Sequence, residues 1–508
     1  MHKILKILTS RLFIVVPLVI AQLVFFVLLF REVAVGMQLE QFLSAASVIL
    51  AILVINRWED PSYRIGWLFI ILGIPIIGIP LYILAGNRKV PAKLANGTIA
   101  ANRQMVGLLE NDPIVLGEGA KADPNIQNIF WYGYQASGFP IYEGTTCKYY
   151  PSGEAWLPDY IAELKKAKHF IFMEYFIIDK GSVWDEILAV LKQKAAEGVE
   201  VKVIYDDFGS ITLPVNYDKK LKAMGIEAYR FNKVHPAFII QMNNRDHRKI
   251  TVIDNNVAFT GGVNLADEYV NRINRFGYWK DSAIRLQGKA VWSMTVMFLG
   301  MYTFLTDKNK KIDYLKYKLP CDEVSDGGFY QPYSDTPTDS EAVALNMHLN
   351  MVTRARHYVF IDTPYLILTE NMIQALIRAA KSGVDVRILT PHHPDKLLVF
   401  QITRGNYARL VENGVKIYEY TPGFNHAKNF VSDDSLAIVG SANTDYRSYF
   451  LHFENGVLMH NTPEIEKIRD NFLTSLLDAR QVTRRDIEKE LWIVKIIRAI
   501  LNIFIPLV

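Results

Sequence analysis

Cysteine is nearly missing from this chain of 508 residues: Cys147 and Cys321 are the only two. Their number and separation argue against a disulfide framework and fit a reducing compartment. An excess of one charge is also lacking, with 56 Lys and Arg against 52 Asp and Glu and a net charge of +4. The global balance therefore makes no demand for nucleic acid, and any anion recognition must come from local clusters. Metal-ligand spacing is missing too, since the adjacent His392 and His393 have no Cys, Asp or Glu placed to complete a site. What is plentiful is apolar residues, 50 % of the chain, enough for two or three domains with cores of their own.

Three apolar runs open the sequence. Residues 12–30, broken only by Pro17 and Gln22, match a hydrocarbon core of about 30 Å and exceed the apolar stretch of a signal peptide, so they read as an anchor. The second, 42–56, is shorter, and the third, 65–85, carries Pro75 and Pro80 and is expected to kink or re-enter. Lys3, Lys6 and Arg11 before the first run, and Arg88, Lys89, Lys93 and Arg103 after the third, place both flanks in the cytoplasm. An even number of crossings then leaves one run that does not traverse. The expected organisation is a membrane anchor over 1–90, a linker over 91–130, and α/β domains over 131–335 and 336–508. The last stretch, 491–508, reads either as an amphipathic helix for an anionic bilayer surface or as a cover on the final core.

Beyond about residue 130 the chain repeats itself. AKHFIFMEYFII (167–178) is echoed by ARHYVFIDTPYLI (355–367), AAEGVEVKVIY (195–205) by AAKSGVDVRILT (379–390), and MGIEAYRF (224–231) by NGVKIYEY (413–420). Each pair reads as buried strand, helix closed by glycine, and strand, so two similar α/β domains are expected. Glu174, Tyr175 and Tyr365 fall in the early strands, either packed in the core or at a pocket entrance. After the third strands come NRDHRKITVIDNNVAFTGGVNLADEY (244–269) and NHAKNFVSDDSLAIVGSANTDYRSY (425–449). Both fit H-x-K-x4-D-x6-G-[GS]-x-N, and each motif residue of the second is displaced by 179 positions from its counterpart in the first. Such a match arises by chance with a probability on the order of 10⁻⁸ per starting point.

Each copy reads as a hairpin. With two-residue turns at Asn255-Asn256 and Asp434-Ser435, His247 faces Asn264 and Lys249 faces Gly262, while His426 faces Asn443 and Lys428 faces Ser441. An imidazole, a cation and an amide then converge beside a small residue, leaving room for a phosphate. Two such patches supply a nucleophile and an acid for in-line displacement, with no metal. Asp254 and Asp433 have the opposite strand parity and suit the turn. Asp281 and Glu454, downstream of the two copies, are candidates to hold a histidine Nδ1–H.

Paired motifs of this form resemble the phospholipase D superfamily over about residues 130–480. Within it, IPIIGIPLYILAGNR (74–88), MEYF (173–176), TGGVNLADEY (260–269) and FEN (453–455) resemble bacterial cardiolipin synthases. The resemblance implies two phospholipase D-like α/β domains sharing one active site behind N-terminal transmembrane helices, in a multi-pass protein of the cell membrane with its catalytic domains on the cytoplasmic side. It implies a catalytic set of His247, Lys249, Asp254, His426, Lys428 and Asp433. Phosphate binding would fall to Asn264, Asn443, Ser441 and Gly262. The implied reaction moves a phosphatidyl group between two phosphatidylglycerol molecules, giving cardiolipin and glycerol through a phosphohistidine, without cofactor or nucleic acid. Competing readings are lipid hydrolysis, a membrane-anchored nuclease and a non-catalytic scaffold.

Overall fold

A computed structural model describes residues 33–57, 61–86, 90–109, 123–234, 243–306 and 312–503. They fall into two compact units: one holds the described residues up to Val90 and those from Ile496 onward, and the other holds Pro91–Lys233 and Asn244–Lys495. The larger unit contains both copies of the motif.

Its first half contributes β1 (Thr145–Tyr150), β2 (Phe170–Tyr175), β3 (Glu200–Asp206), β4 (Glu227–Phe231), β5 (Arg245–Asp246), β6 (Lys249–Ile253), β7 (Val257–Gly261), β8 (Tyr278–Lys280) and β9 (Ala283–Gly288). The second contributes β10 (Phe329–Asp335), β11 (Tyr358–Asp362), β12 (Asp385–Pro391), β13 (Lys416–Tyr420), β14 (Gly423–Asn425), β15 (Asn429–Ser432), β16 (Leu436–Gly440), β17 (His452–His460) and β18 (Ala479–Val482). The strand orders are β1-β9-β7-β6-β2-β3-β4 and β10-β17-β16-β15-β11-β12-β13-β18. One topology is thus used twice, with β18 added at the second edge. In each sheet the first three repeat strands run parallel, and all six residues of β2 are buried, as expected of strands covered on both faces. The crossover helices Ser182–Ala196 and Glu370–Lys381 run into Gly198 and Gly383, at φ 90° and 93°, the left-handed conformation that glycine takes without a Cβ penalty.

Two boundaries differ from expectation. The strand β10 pairs with β17 from Phe329↔His460 to Asp335↔Glu454, and the helix Pro124–Ser137 places Ile126, Ile129 and Phe130 in the core of the second half. That half therefore recruits chain from before residue 336, through a strand whose sequence has no echo in the repeat. The expected linker also carries structure: the helix Ala92–Val106 lies against the buried helix Val291–Leu305, Gly97 beside Phe304 and Asn102 beside Gly300.

In the smaller unit, the expected span 12–30 lies outside the described residues. The run 42–56 falls in the helix Val33–Ile55, whose amino-terminal part carries Gln38, Glu40 and Gln41. The run 65–85 is divided between helices Pro61–Gly73 and Pro75–Ala85. The break falls where Pro75, with no N–H and a fixed φ, suits the first turn of a new helix. Among the described residues no helix is long and apolar enough to cross a membrane.

Both motif hairpins turn in three residues, one more than expected. Ile253 pairs with Val257 and Ser432 with Leu436, so the register shifts by one and the anticipated pairs His247/Asn264, Lys249/Gly262, His426/Asn443 and Lys428/Ser441 do not form. Asp254 and Asn255 (φ 51° and 56°) and Asp433 and Asp434 (φ 54° and 52°) take up the turn in left-handed backbone, which Asn and Asp tolerate best after glycine. The Asp254 carboxylate accepts the N–H groups of Lys168, His169 and Phe170 at 2.7, 2.8 and 2.7 Å. Asp433 does the same for Arg356, His357 and Tyr358 at 2.7, 2.9 and 2.8 Å. This corrects the catalytic assignment of the two aspartates: each lies about 16 Å of strand beyond its motif lysine and ties the turn to the start of the central strand. Asp254→Ala and Asp433→Ala should each lower the unfolding free energy by about 1–3 kcal/mol, read by urea titration of the detergent-solubilised chain. Unchanged stability with lost turnover would contradict this role.

Candidate active site

The stretches that enter the hairpins do not pair with their own half. The strand β5 runs parallel to the start of β17, with Arg245↔His452 and Asp246↔Phe453. Its counterpart β14 runs parallel to β8, from Gly423↔Tyr278 to Asn425↔Lys280. Each exchange ends in a bond from the motif histidine: His247 N–H donates to Phe453 O at 2.9 Å, and His426 N–H donates to Lys280 O at 2.7 Å. The next residue along each partner strand is a carboxylate. His247 Nδ1 lies 2.9 and 3.1 Å from the Glu454 oxygens, and His426 Nδ1 lies 2.7 Å from Asp281 Oδ2. Each half thus supplies the carboxylate for the other half's histidine.

The difference between Gly261-Gly262 and Gly440-Ser441 follows from the length of those acids. Ser441 Oγ donates to Glu454 Oε2 at 2.5 Å and accepts Asn455 N–H at 3.0 Å. A Cβ on Gly262 would stand 2.0 Å from Asp281 Oδ1, so the shorter aspartate needs glycine there. Both residues serve the carboxylates, which corrects the expectation that they border the phosphate. The amides are engaged as well. Asn264 accepts Ile177 N–H at 3.0 Å and donates to Tyr269 OH at 2.8 Å. Asn443 Nδ2 donates to Asp445 at 3.1 Å, while its Oδ1 is buried without a hydrogen-bond partner.

Electrostatics set the protonation states. Burial alone would raise the Glu454 pKa, but His247 beside it outweighs burial and holds the group well below the usual carboxylate range. Asp281 is likewise lowered, by His426 and Lys428 against the effect of burial. Burial disfavours charge on the imidazoles, driving His247 well below its ordinary value and His426, with Lys428 beside it, to about 4. Each pair is then a neutral imidazole donating Nδ1–H to a carboxylate, which leaves an Nε2 lone pair for chemistry. Burial also pushes Lys249 down to about 7 and Lys428 to about 8. Lys249 donates to His247 O at 2.5 Å, and Lys428 donates to His426 O. The groups of the two halves act on one another: Glu454 and Lys428 both influence Lys249, and Asp281 influences Lys428.

Several groups escaped the motif reading. Glu174 and Asp362 end equivalent strands β2 and β11. Arg248 pairs with Glu174 at 2.7 Å and with Asp246 at 3.1 Å, whereas Asp362 takes Lys280 from the other half at 3.0 Å. Tyr175 stays in the core, bonded to Thr251 at 2.9 Å, and Tyr365 donates to Asp395 at 2.5 Å. His452, two residues before Glu454 on the same strand face, has its ring centroid 5.4 Å from that of His247.

Residues 160–275 and 349–476 match the family model "Cardiolipin synthase, PLD-like domain", and residues 45–87 match "Phospholipase_D-nuclease N-terminal". A cardiolipin synthase of Geobacillus kaustophilus is 33 % identical over 92 % of this chain and 93 % of its own. The chain belongs to the cardiolipin synthase family of phospholipase D-like proteins. A Streptococcus mutans family relative of uncharacterized function is 41 % identical over 89 % of this chain and 98 % of its own. The fold is shared with phosphatidylserine synthase of Haemophilus influenzae, TM-score 0.57 at 13 % identity, covering 74 % of this chain and 96 % of that one.

The two halves of this family member should differ at the small motif position. Gly262→Ser drives an atom into Asp281 and should cut phosphodiester turnover about 10²-fold through misplacement of His426. Ser441→Gly removes one hydrogen bond to Glu454 and should cost about tenfold or less. Equal losses from the two substitutions would contradict the packing argument.

Proposed function

We propose that the protein is a cardiolipin synthase, a phosphatidyltransferase that joins two phosphatidylglycerol molecules. The carrying observation is the pair of buried imidazoles, each holding a carboxylate on Nδ1, with two buried lysines beside them. In the first step His247 Nε2 attacks phosphorus, a P–N bond forms, and the P–O bond to glycerol breaks. His426, neutral in the free site, takes up a proton at Nε2 from solvent as the anionic phosphodiester binds, and gives that proton to the departing oxygen. In the second step neutral His426 takes the proton of the terminal hydroxyl of another phosphatidylglycerol. That oxygen then displaces His247, leaving cardiolipin and a protonated His426, which serves the next phosphodiester or returns its proton to solvent. Lys249 and Lys428 carry the charge that builds on the phosphoryl oxygens.

A lipid substrate suits the surroundings. The loop after β3 exposes Phe208, Ile211 and Val215 in one half, and the start of the helix Leu397–Gly405, after β12, exposes Leu397 and Leu398 in the other. The first loop reaches the site through Ser210, whose hydroxyl bonds Phe176 O at 3.3 Å, and the Phe176 ring centroid is 4.9 Å from that of His247. In the smaller unit Phe42, Ile49, Ile52, Leu53, Ile65 and Phe69 are exposed, a large apolar surface that suits a bilayer. In this reading the N-terminal runs anchor the chain in the cell membrane, with the catalytic halves on the cytoplasmic side.

Incubating the purified protein with glycerol-labelled phosphatidylglycerol in mixed micelles should yield cardiolipin and one glycerol per cardiolipin. His247→Ala and His426→Ala should each lower the rate by at least about 10³-fold. Phosphatidic acid as the main product, or near-normal rates in either variant, would overturn the reading.

The lysine values give a pH prediction. Charge on Lys249 and Lys428 is present below about 7 and 8 and is lost as pH rises through those values. The kcat/KM of free enzyme should therefore fall as pH rises through this window, and Lys249→Arg should move the onset of the fall up toward the Lys428 value, because guanidinium does not titrate there. An alkaline limb that stays in place would contradict the assignment.

A further inference from the structure

The carboxylates of the two halves have different neighbours two residues upstream on their strands. Asp281 has Trp279, whose Nε1–H points to Oδ2 at 3.4 Å. Glu454 has His452, whose Nδ1 is 3.7 Å from Oε1. The His452 side chain is only 10 % exposed, and neither ring nitrogen has a hydrogen-bond partner. A buried imidazole whose nearest approach is this long contact to Glu454, with no hydrogen bond at either ring nitrogen, is unusual in a folded chain unless something else uses its lone pair. The ring stands against His247, and one potential ligand atom each from His247, His452 and Glu454 lie within 4.8 Å of one another.

We propose that His247 Nδ1, His452 and Glu454 form an inhibitory binding site for a borderline-soft divalent cation of the zinc class. Two imidazoles and one carboxylate are a common zinc donor set, and tetrahedral bonds of about 2.0–2.2 Å separate ligand atoms by roughly 3.3 Å. The present separations of 2.9 Å for His247 to Glu454 and 3.7 Å for His452 to Glu454 bracket that figure. On binding, the cation takes the Nδ1 lone pair and the ring proton moves, by way of solvent, from Nδ1 to Nε2, so the imidazole stays neutral and its Nε2 is occupied. The Glu454 oxygen that accepted this hydrogen becomes a ligand, and a water completes the fourth position. His247 then carries a cation where it had a carboxylate partner, and its Nε2 is no longer a nucleophile. The other half has no equivalent, because the Trp279 indole offers only a donor.

The inference does not depend on the lipid chemistry, because binding is read without substrate. Chelator-treated full-length protein in detergent micelles is titrated with zinc chloride by calorimetry, and the same preparation is assayed with and without zinc. One zinc per chain should bind the wild type in the micromolar range or tighter, with loss of turnover that a chelator reverses. Magnesium, which prefers oxygen ligands, should do neither. His452→Asn should retain metal-free turnover and weaken zinc binding and inhibition about tenfold or more; His452→Gln serves the same purpose if the asparagine variant does not fold. Absence of wild-type binding at 100-micromolar zinc, on the order of a hundred times that range, overturns the proposal. So does binding that is unchanged in the His452 variants.

Discussion

Everything at this site depends on a reciprocal exchange of short strands between the two halves. The chain entering each hairpin bonds to the other half's carboxylate strand, and the exchange ends on the backbone N–H of the motif histidine. Because parallel pairing fixes register, the following residue of the partner strand, Glu454 or Asp281, arrives at that histidine's Nδ1. Neither half holds its own histidine in this way. A single copy of the fold would leave an imidazole without its carboxylate and a carboxylate buried without its imidazole, so the repeat is a chemical requirement as well as a structural one.

Charge follows the same logic. Two carboxylates and two lysines are buried around two imidazoles that burial keeps neutral, and burial also weakens the lysine charges that face the carboxylates. Buried ions are tolerated only when paired, and the surrounding acids obey this, Glu174 with Arg248 and Asp362 with Lys280. The depressed lysines are the groups that an entering phosphodiester would recharge.

The repeated strand, helix and strand order was legible because buried strands and glycine-closed helices are local signals, and the displacement of 179 between copies tied His247, Lys249, His426 and Lys428 together. The carboxylates could be named from their place after each copy. Their exchange between halves could not, since it arises from strand pairing between residues 207 and 145 positions apart. Hairpin register failed by one residue because positive φ at Asp254 and Asn255 permits a three-residue turn, and that slip carried the roles given to Gly262 and Ser441 with it. Parity nonetheless placed Asp254 and Asp433 in their turns. His452 left a signal that was passed over, a histidine two places before Glu454 and so on the same strand face. The strand β10 left none, for although it takes the place of β1 at the sheet edge its sequence has no echo in the repeat.

The central claim is that each histidine is coupled to the carboxylate of the other half, and double-mutant cycles on unfolding free energy test it most directly. His247→Gln with Glu454→Gln, and His426→Gln with Asp281→Asn, should each show coupling of about 1 kcal/mol or more, whereas the same-half combinations should couple by less than about 0.5 kcal/mol. Strong coupling of His247 to Asp281 and of His426 to Glu454, with none across the halves, would contradict the account.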